Sequence, residues 1–148
     1  MTAENKRRAW MSLLAKAPAD RLTALWQAYD AAPTFHWLRA PEIGATMVRG
    51  RLGGTGAPFN LGEMTLTRCA LQLDGGEVGH GYVQGRDKDK AQIAALLDAL
   101  MQGPEAEAVA SAILKPLETE MTAAKTARAE KAAATKVDFF TMVRGEDK

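Results

Sequence analysis

Ten of the 13 glycines fall between Gly50 and Gly85. Each glycine inside a helix costs about 1 kcal/mol relative to alanine, so this band cannot continue the helical patterns that flank it. The apolar residues within it form short alternating or continuous runs, which read as strands: IGATMVRGR (43–51), MTLTRCALQL (64–73) and EVGHGYVQGR (77–86). The last two are separated by Asp74, Gly75 and Gly76, residues that accept the positive φ of tight turns. The economical reading is an antiparallel sheet of three or more strands.

Helical periodicity brackets the band. Trp10, Leu13 and Leu14, then Leu22, Leu25, Trp26 and Tyr29, recur at helical spacing between Ala3 and Ala32, with a break predicted near Pro18. In AAPTFHWLRAPE (31–42), Pro33 and Pro41 enclose Phe35, Trp37 and Leu38, which predicts an irregular connection pinned by buried aromatics. From Asp87 the period returns to 3.6: Ile93, Leu96, Leu97, Leu100 and Met101 form one stripe, and Gly103 and Pro104 stop it. Helical composition resumes at Glu105, with Pro116 expected to end or kink the first helix there. Beyond about residue 118 the chain is rich in Ala, Lys and Glu and poor in large apolar residues, the composition of an interaction arm. Val137, Phe139, Phe140, Met142 and Val143 then place an apolar load near the C-terminus, to be buried on a partner, on a second copy or back on the chain's own sheet. The expected fold is α+β, one domain over residues 1–148 with N-terminal helices, a central antiparallel sheet and C-terminal helices covering one side.

Composition excludes several function classes. With 19 basic and 18 acidic side chains the formal net charge is +1, which gives no general attraction to nucleic acid. Cys69 is the sole cysteine and His36 and His80 the only histidines, so the chain holds no CxxC, no iron–sulfur ligand set and no conventional zinc quartet. The N-terminal apolar run is too short for a signal-peptide core and no stretch approaches a membrane span, so a cytoplasmic protein without membrane attachment is expected.

The stretch RGRLGGTGAPFNLGEMTLTRC (49–69) raises three alternatives: a phosphate cradle, a docking surface for other proteins, or turns and bulges within a sheet. No GK[ST] is present to place a phosphate-binding lysine and a magnesium-binding hydroxyl, and GHGYVQG misses GxGxxG by one residue. Arg49 and Arg51 share one face if extended, and Arg68, from another strand, is expected to reach the same side. Such forks bind phosphate or carboxylate through paired donors, or else pair with Glu42, Glu63 or Asp87. Glu63, beside Asn60, and His80, between two glycines, are the only weak candidates for acid–base work. Cys69 reads as a small buried hydrophobe.

The run MVRGRLGGTGAPFNLGEMTLTRC, with LRAPE before it and GHGYVQGRD after it, resembles the signature of the PhnG family, the small G subunit of the bacterial carbon–phosphorus lyase system. The resemblance falls on Arg49, Gly50, Arg51, Gly53, Gly54, Gly56, Phe59, Asn60, Leu61, Gly62, Glu63, Thr67, Arg68 and Cys69, then on His80, Gly85 and Arg86. It implies a cytoplasmic core complex with the H, I and J subunits, joined by the L component in nucleotide coupling. In that step an alkylphosphonate displaces the base of ATP to give ribose 1-alkylphosphonate 5-triphosphate, a transferase-like reaction. A later lyase step in the wider system uses an iron–sulfur cluster and S-adenosylmethionine. For this chain it implies a non-catalytic structural and assembly role, with no cofactor or metal held by the chain alone. Arg49, Arg51, Asn60, Glu63, Arg68, Arg86, Phe139 and Phe140 are its candidate interface or anion-binding residues. The alternative is that these arginines, with Glu63 or His80, complete a composite active site.

Overall fold

The structure, a computed structural model, describes residues 2–137. Helices α1 (Ala3–Lys16) and α2 (Ala19–Tyr29) lead into strands β1 (Phe35–Arg51), β2 (Pro58–Leu73) and β3 (Val78–Gln84). Helix α3 (Lys88–Leu100) follows. The short α4 (Ala106–Val109) then runs through a π-helical turn at Ala110–Leu114 into α5 (Lys115–Ala133). The strands form one antiparallel sheet in the order β1-β2-β3. The architecture is the α+β arrangement expected from the sequence.

The first two strands start earlier than expected. Residues 35–42 are not an irregular connection but the first part of β1, with Phe35 opposite Leu73 and Trp37 opposite Leu71. Pro41 is accommodated because β1 is an edge strand and the pairing slips between Trp37 and Arg39 and again between Arg39 and Glu42. The aromatics there are not all buried: Phe35 packs edge-on against Trp37, while Trp37 and Leu38 retain substantial exposure. Pro116 stands at a junction of helical segments, as expected: the π-helical turn ends at Leu114 and α5 begins at Lys115. It follows the π-helical turn directly, in the first turn of α5, where a missing N–H is tolerated. The apolar residues from Phe139 onward lie outside the described residues.

The core lies between the helices and one face of β2 and β3. Leu71 and Val83 share one buried cluster with Leu97, Ile113 and Leu117, with Leu14 and Leu22 contributed by the first two helices. Helix α3 approaches β3 at backbone distance. A Cβ at Gly79 would run into the Ala95 carbonyl oxygen and one at Gly81 into that of Ala91, so only glycine fits these two positions of the strand. Thr67 joins β2 to the start of α3: its buried hydroxyl donates to the Gly85 carbonyl at 2.7 Å and accepts from the Asp87 amide at 3.1 Å. Asp87 in turn caps α3 by accepting from the Lys90 amide. Lys90 is buried and donates to the Ala15 carbonyl at the end of α1; burial holds its ammonium below the usual lysine range.

One polar constellation lies inside this packing. The carboxylate of Asp98, on α3, is fully buried and accepts four donors. Arg7 Nε reaches Oδ1 at 3.1 Å and Arg7 Nη2 reaches Oδ2 at 2.7 Å; Trp10 Nε1 donates at 2.8 Å and the His80 backbone amide at 2.9 Å. Arg7 and Gln102 also donate to the Val78 carbonyl. The outer edge of β3 is thus covered at Val78 and His80 by side chains of α1, α3 and the turn after α3.

Two stability measurements follow from these contacts. Gly81→Ala should lower the urea-unfolding free energy by about 2 kcal/mol through overpacking, whereas Gly62→Ala, whose Cβ would enter open space, should stay within about 0.5 kcal/mol. Asp98→Ala should cost about 3 kcal/mol, because it strands the Arg7 and Trp10 donors and the His80 amide; a loss under about 1 kcal/mol would show that water replaces the carboxylate freely.

Candidate functional site

Strand β3 ends opposite Leu66, but β1 and β2 continue past it as a two-stranded ribbon. The glycine-rich stretch forms the outer half of that ribbon. Its tip is a 3₁₀ turn at Leu52–Gly54, with φ of 59° at Gly53 and 81° at Gly54, closed by the Gly56 amide donating to the Leu52 carbonyl at 2.8 Å. Arg51 Nη1 adds a bond to the Gly56 carbonyl at 3.0 Å.

The register divides the ribbon into two chemically distinct faces, because residues directly opposite in an antiparallel pair project to the same side. On one face Ile43 opposes Thr67, Ala45 opposes Thr65, Met47 opposes Glu63, Arg49 opposes Asn60 and Arg51 opposes Pro58. On the other, Glu42 opposes Arg68, Thr46 opposes Met64, Val48 opposes Gly62 and Gly50 opposes Phe59. A pairing slip between Val48 and Arg49 inserts Leu61 as an extra residue on β2. Leu61 leans over Gly50, where an added Cβ would lie 3.7 Å from its own Cβ and 3.9 Å from the ring of Phe59. Toward the tip one face is therefore cationic and the other apolar, while farther from the tip the arginine face carries Ile43 and Met47. Leu61 is 66% exposed and Leu52 at the tip 77%, and Phe59, Met47 and Ile43 are also exposed.

The expected site residues separate accordingly. Arg49 and Arg51 share a face and line an open cleft of about 560 Å³ with Gly50, Gly54 and Pro58. Arg68 does not join them: it projects to the opposite face, opposite Tyr82 on β3, because its register partner on β1 is Glu42 and not an odd-numbered residue. There its Nε donates to Glu42 Oε1 at 2.6 Å, and Arg39 donates to the same oxygen at 2.6 Å. These two hydrogen bonds hold the Glu42 carboxyl below the usual glutamate range, that from Arg39 contributing most. Glu63 and Asn60 are exposed on the arginine face. His80 is exposed on the helix-free face of the sheet, as is Tyr82; its backbone amide, not its ring, makes the bond to Asp98. Arg86 is exposed after β3, and Phe139 and Phe140 lie outside the described residues. The arrangement brings Arg49, Arg51, Asn60 and Glu63 together and leaves His80, Arg68 and Arg86 elsewhere.

Cys69 is buried, donates to the Ala91 carbonyl at 3.2 Å and has its pKa pushed up to about 11 by burial, which removes it as a nucleophile near neutral pH. Among the described residues no group of three or more His, Cys, Asp or Glu side chains is placed to hold a metal ion, and no helix is long and apolar enough to cross a membrane.

Residues 5–145 match the family described as phosphonate metabolism protein PhnG. The chain is also 47% identical over 142 residues to the alpha-D-ribose 1-methylphosphonate 5-triphosphate synthase subunit PhnG of Rhizobium meliloti (strain 1021), covering 96% of this chain and 91% of that protein.

The Glu42 cluster yields a pH expectation. Because the folded carboxyl titrates below its unfolded counterpart, its contribution is fully present above the unfolded pKa and is lost as pH falls through the folded one. A carbon-13 NMR titration should find the Glu42 midpoint below that of a free glutamate, and Arg39→Gln combined with Arg68→Gln should return it to the ordinary value. An unchanged midpoint in the double variant would show that the two guanidiniums do not hold the carboxylate in solution.

Proposed function

The chain belongs to the PhnG family, and from that premise we propose that it is a non-catalytic assembly subunit of a carbon–phosphorus lyase complex, required for nucleotide-dependent synthesis of a ribose 1-alkylphosphonate 5-triphosphate. Its partners in this reading are the H, I and J subunits, with the L component joining for the coupling step and ATP as the nucleotide consumed. The reaction type is that for which the Rhizobium relative is named, a triphosphate synthase of which that protein is one subunit.

The observation that carries the assembly role is the ribbon. A projecting two-stranded element with an exposed Phe, two exposed Leu residues, an exposed Met and an Ile has no place in the chain's own core. Apolar side chains of this kind stabilise a complex when a partner removes them from water, by about 25 cal/mol per Å² of apolar surface. Helix α5 supports a second, weaker contact. From Glu118 onward it is exposed except at Met121, and it is tied back by the Arg21–Glu120 pair with both bonds at 2.7 Å. In this reading that stretch is an arm that lies against a neighbouring subunit.

A composite anion site is the second reading. Arg49 makes no hydrogen bond or ion pair within the described residues, and Arg51 uses one donor on the Gly56 carbonyl. Both keep donors for a carboxylate of a partner or for a phosphate.

The readings separate in one set of preparations. The purified chain alone should form no ribose 1-phosphonate product from ATP and methylphosphonate, and omitting it from the reconstituted subunits should abolish that product. Arg51→Gln should weaken assembly of the complex by about tenfold, the scale of one lost charge-assisted contact, with loss of activity following loss of assembly. Turnover by the isolated chain would overturn the non-catalytic role. Intact assembly with weakened triphosphate binding in Arg51→Gln or Arg68→Gln would assign the arginines to the active site.

A further inference from the structure

The two edges of the sheet are treated in opposite ways. The β3 edge is closed at its start: Asp98 accepts from the His80 amide, and Arg7 and Gln102 cover the Val78 carbonyl. The exposed stretch of β2 beyond β3 is partly closed as well, because the Gly85 amide donates to the Thr65 carbonyl and Leu61 breaks the regular pairing. The outer edge of β1 has no such cover. Beyond its ladder with β2, no backbone or side-chain hydrogen bond reaches a β1 backbone group among the described residues.

That open edge is also shaped for pairing. The features that blunt natural edge strands are a proline, register slips and inward charges. In β1 the proline and two of its slips lie before Glu42. From Glu42 to Val48 the register runs without interruption, and its outer half contains no lysine and no proline. Seventeen residues of strand reach roughly 56 Å at about 3.3 Å per residue, so the regular part of the edge stands clear of the helical layer.

We infer that the outer edge of β1 from Ile43 to Val48 takes up an extended segment of a partner protein as an added antiparallel or parallel strand, with carboxylates of that segment beside Arg49 and Arg51. This rests on the assembly reading and specifies its mode. Backbone hydrogen bonds supply the affinity and the ribbon side chains select the sequence. The arginines decide against a second copy of this chain. Glu42 is the only acid in β1 and projects to the face opposite Arg49 and Arg51. Directly opposed residues share a face, so no two-fold pairing of β1 with its own copy sets a carboxylate opposite either arginine. A partner strand with Asp or Glu at that end satisfies both, and apolar or β-branched residues suit it beside Ile43 and Met47.

The test compares amide hydrogen exchange in the free chain and in its assembly with the H, I and J subunits. In the free chain, alternate amides from Ile43 to Val48, those facing away from β2, should exchange fast; in the assembly they should slow by at least about tenfold. Proline scanning supplies the second readout. Of Ala45→Pro and Thr46→Pro, the one whose N–H faces outward should leave unfolding unchanged yet weaken assembly by about tenfold or more, and Arg49→Glu with Arg51→Glu should weaken it further at low salt. If the assembly forms while the outward amides stay as fast as in the free chain, strand addition is overturned and the assembly role stands. If no assembly forms with the unaltered chain, the assembly role itself fails. Protection that appears in the free chain with rising concentration, together with a dimer mass in analytical ultracentrifugation, would overturn the choice of a partner strand in favour of a second copy.

Discussion

The buried carboxylate of Asp98 is the interaction on which the arrangement of layers depends. Taking an ionised carboxylate out of water costs several kcal/mol unless its lone pairs are filled. Here the compensating donors come from α1 and β3 together: Arg7, Trp10 and the His80 amide. The cost is offset only when α1 lies along β3 and α3 lies over it, so one side chain couples three elements that are remote in sequence. Its second effect is topological, since the His80 amide it holds is no longer available for growth of the sheet there.

The close approach of α3 decides what remains uncovered. Glycines 79 and 81 face Ala91, Ala95 and Ala99, letting the helix settle onto β3 until backbone meets backbone. A helix with its side chains is about 10–12 Å across, and strands lie about 4.8 Å apart, so one helix seated over β3 covers about two strands. β1 therefore lies at the margin of the helical layer, and the ribbon, which outruns β3, lies beyond it. The position of the exposed surface follows from the tightness of the contact on the far side of the sheet.

Much of this was legible in the sequence. The stripe from Ile93 to Met101 placed α3, the Asp74–Gly76 connector placed the β2–β3 hairpin with Gly76 at φ 100°, and the glycine band placed a sheet between two helical regions. The start of β1 was not legible, because Pro33 and Pro41 read as breakers when only an edge strand with slipped pairing absorbs them. β2 begins at Pro58, ahead of the Met64 expected from the alternation, because the bulge at Leu61 interrupts the period of two. Asp98 was hidden inside an apolar stripe, and its donors are 18 to 91 residues distant in sequence. A lone acid flanked on both sides by core leucines is the one signal that could have marked it. For the site, the pairing of Arg49 with Arg51 followed from strand alternation, but the side to which Arg68 projects depends on a register that no local pattern specifies.

The glycines of the band have separable causes. Gly53 and Gly54 turn the chain at the tip with positive φ, and Gly56 has no room for a Cβ against the Leu52 carbonyl. At Gly50 an added Cβ would meet Leu61 and Phe59 only at van der Waals distance, so packing does not demand glycine there. None of these causes requires a phosphate. An isolated two-stranded ribbon is marginal in water, and this one keeps an apolar face exposed while its opposite face gathers two arginines near the tip. A ligand confined to the cleft beside Arg49 and Arg51 would leave Leu61 and Phe59 in water. A polypeptide laid along the outer edge of β1 projects side chains over both faces at once, so it lies beside Ile43 and Met47 as well as meeting the guanidiniums with carboxylates, where an anion meets the guanidiniums alone.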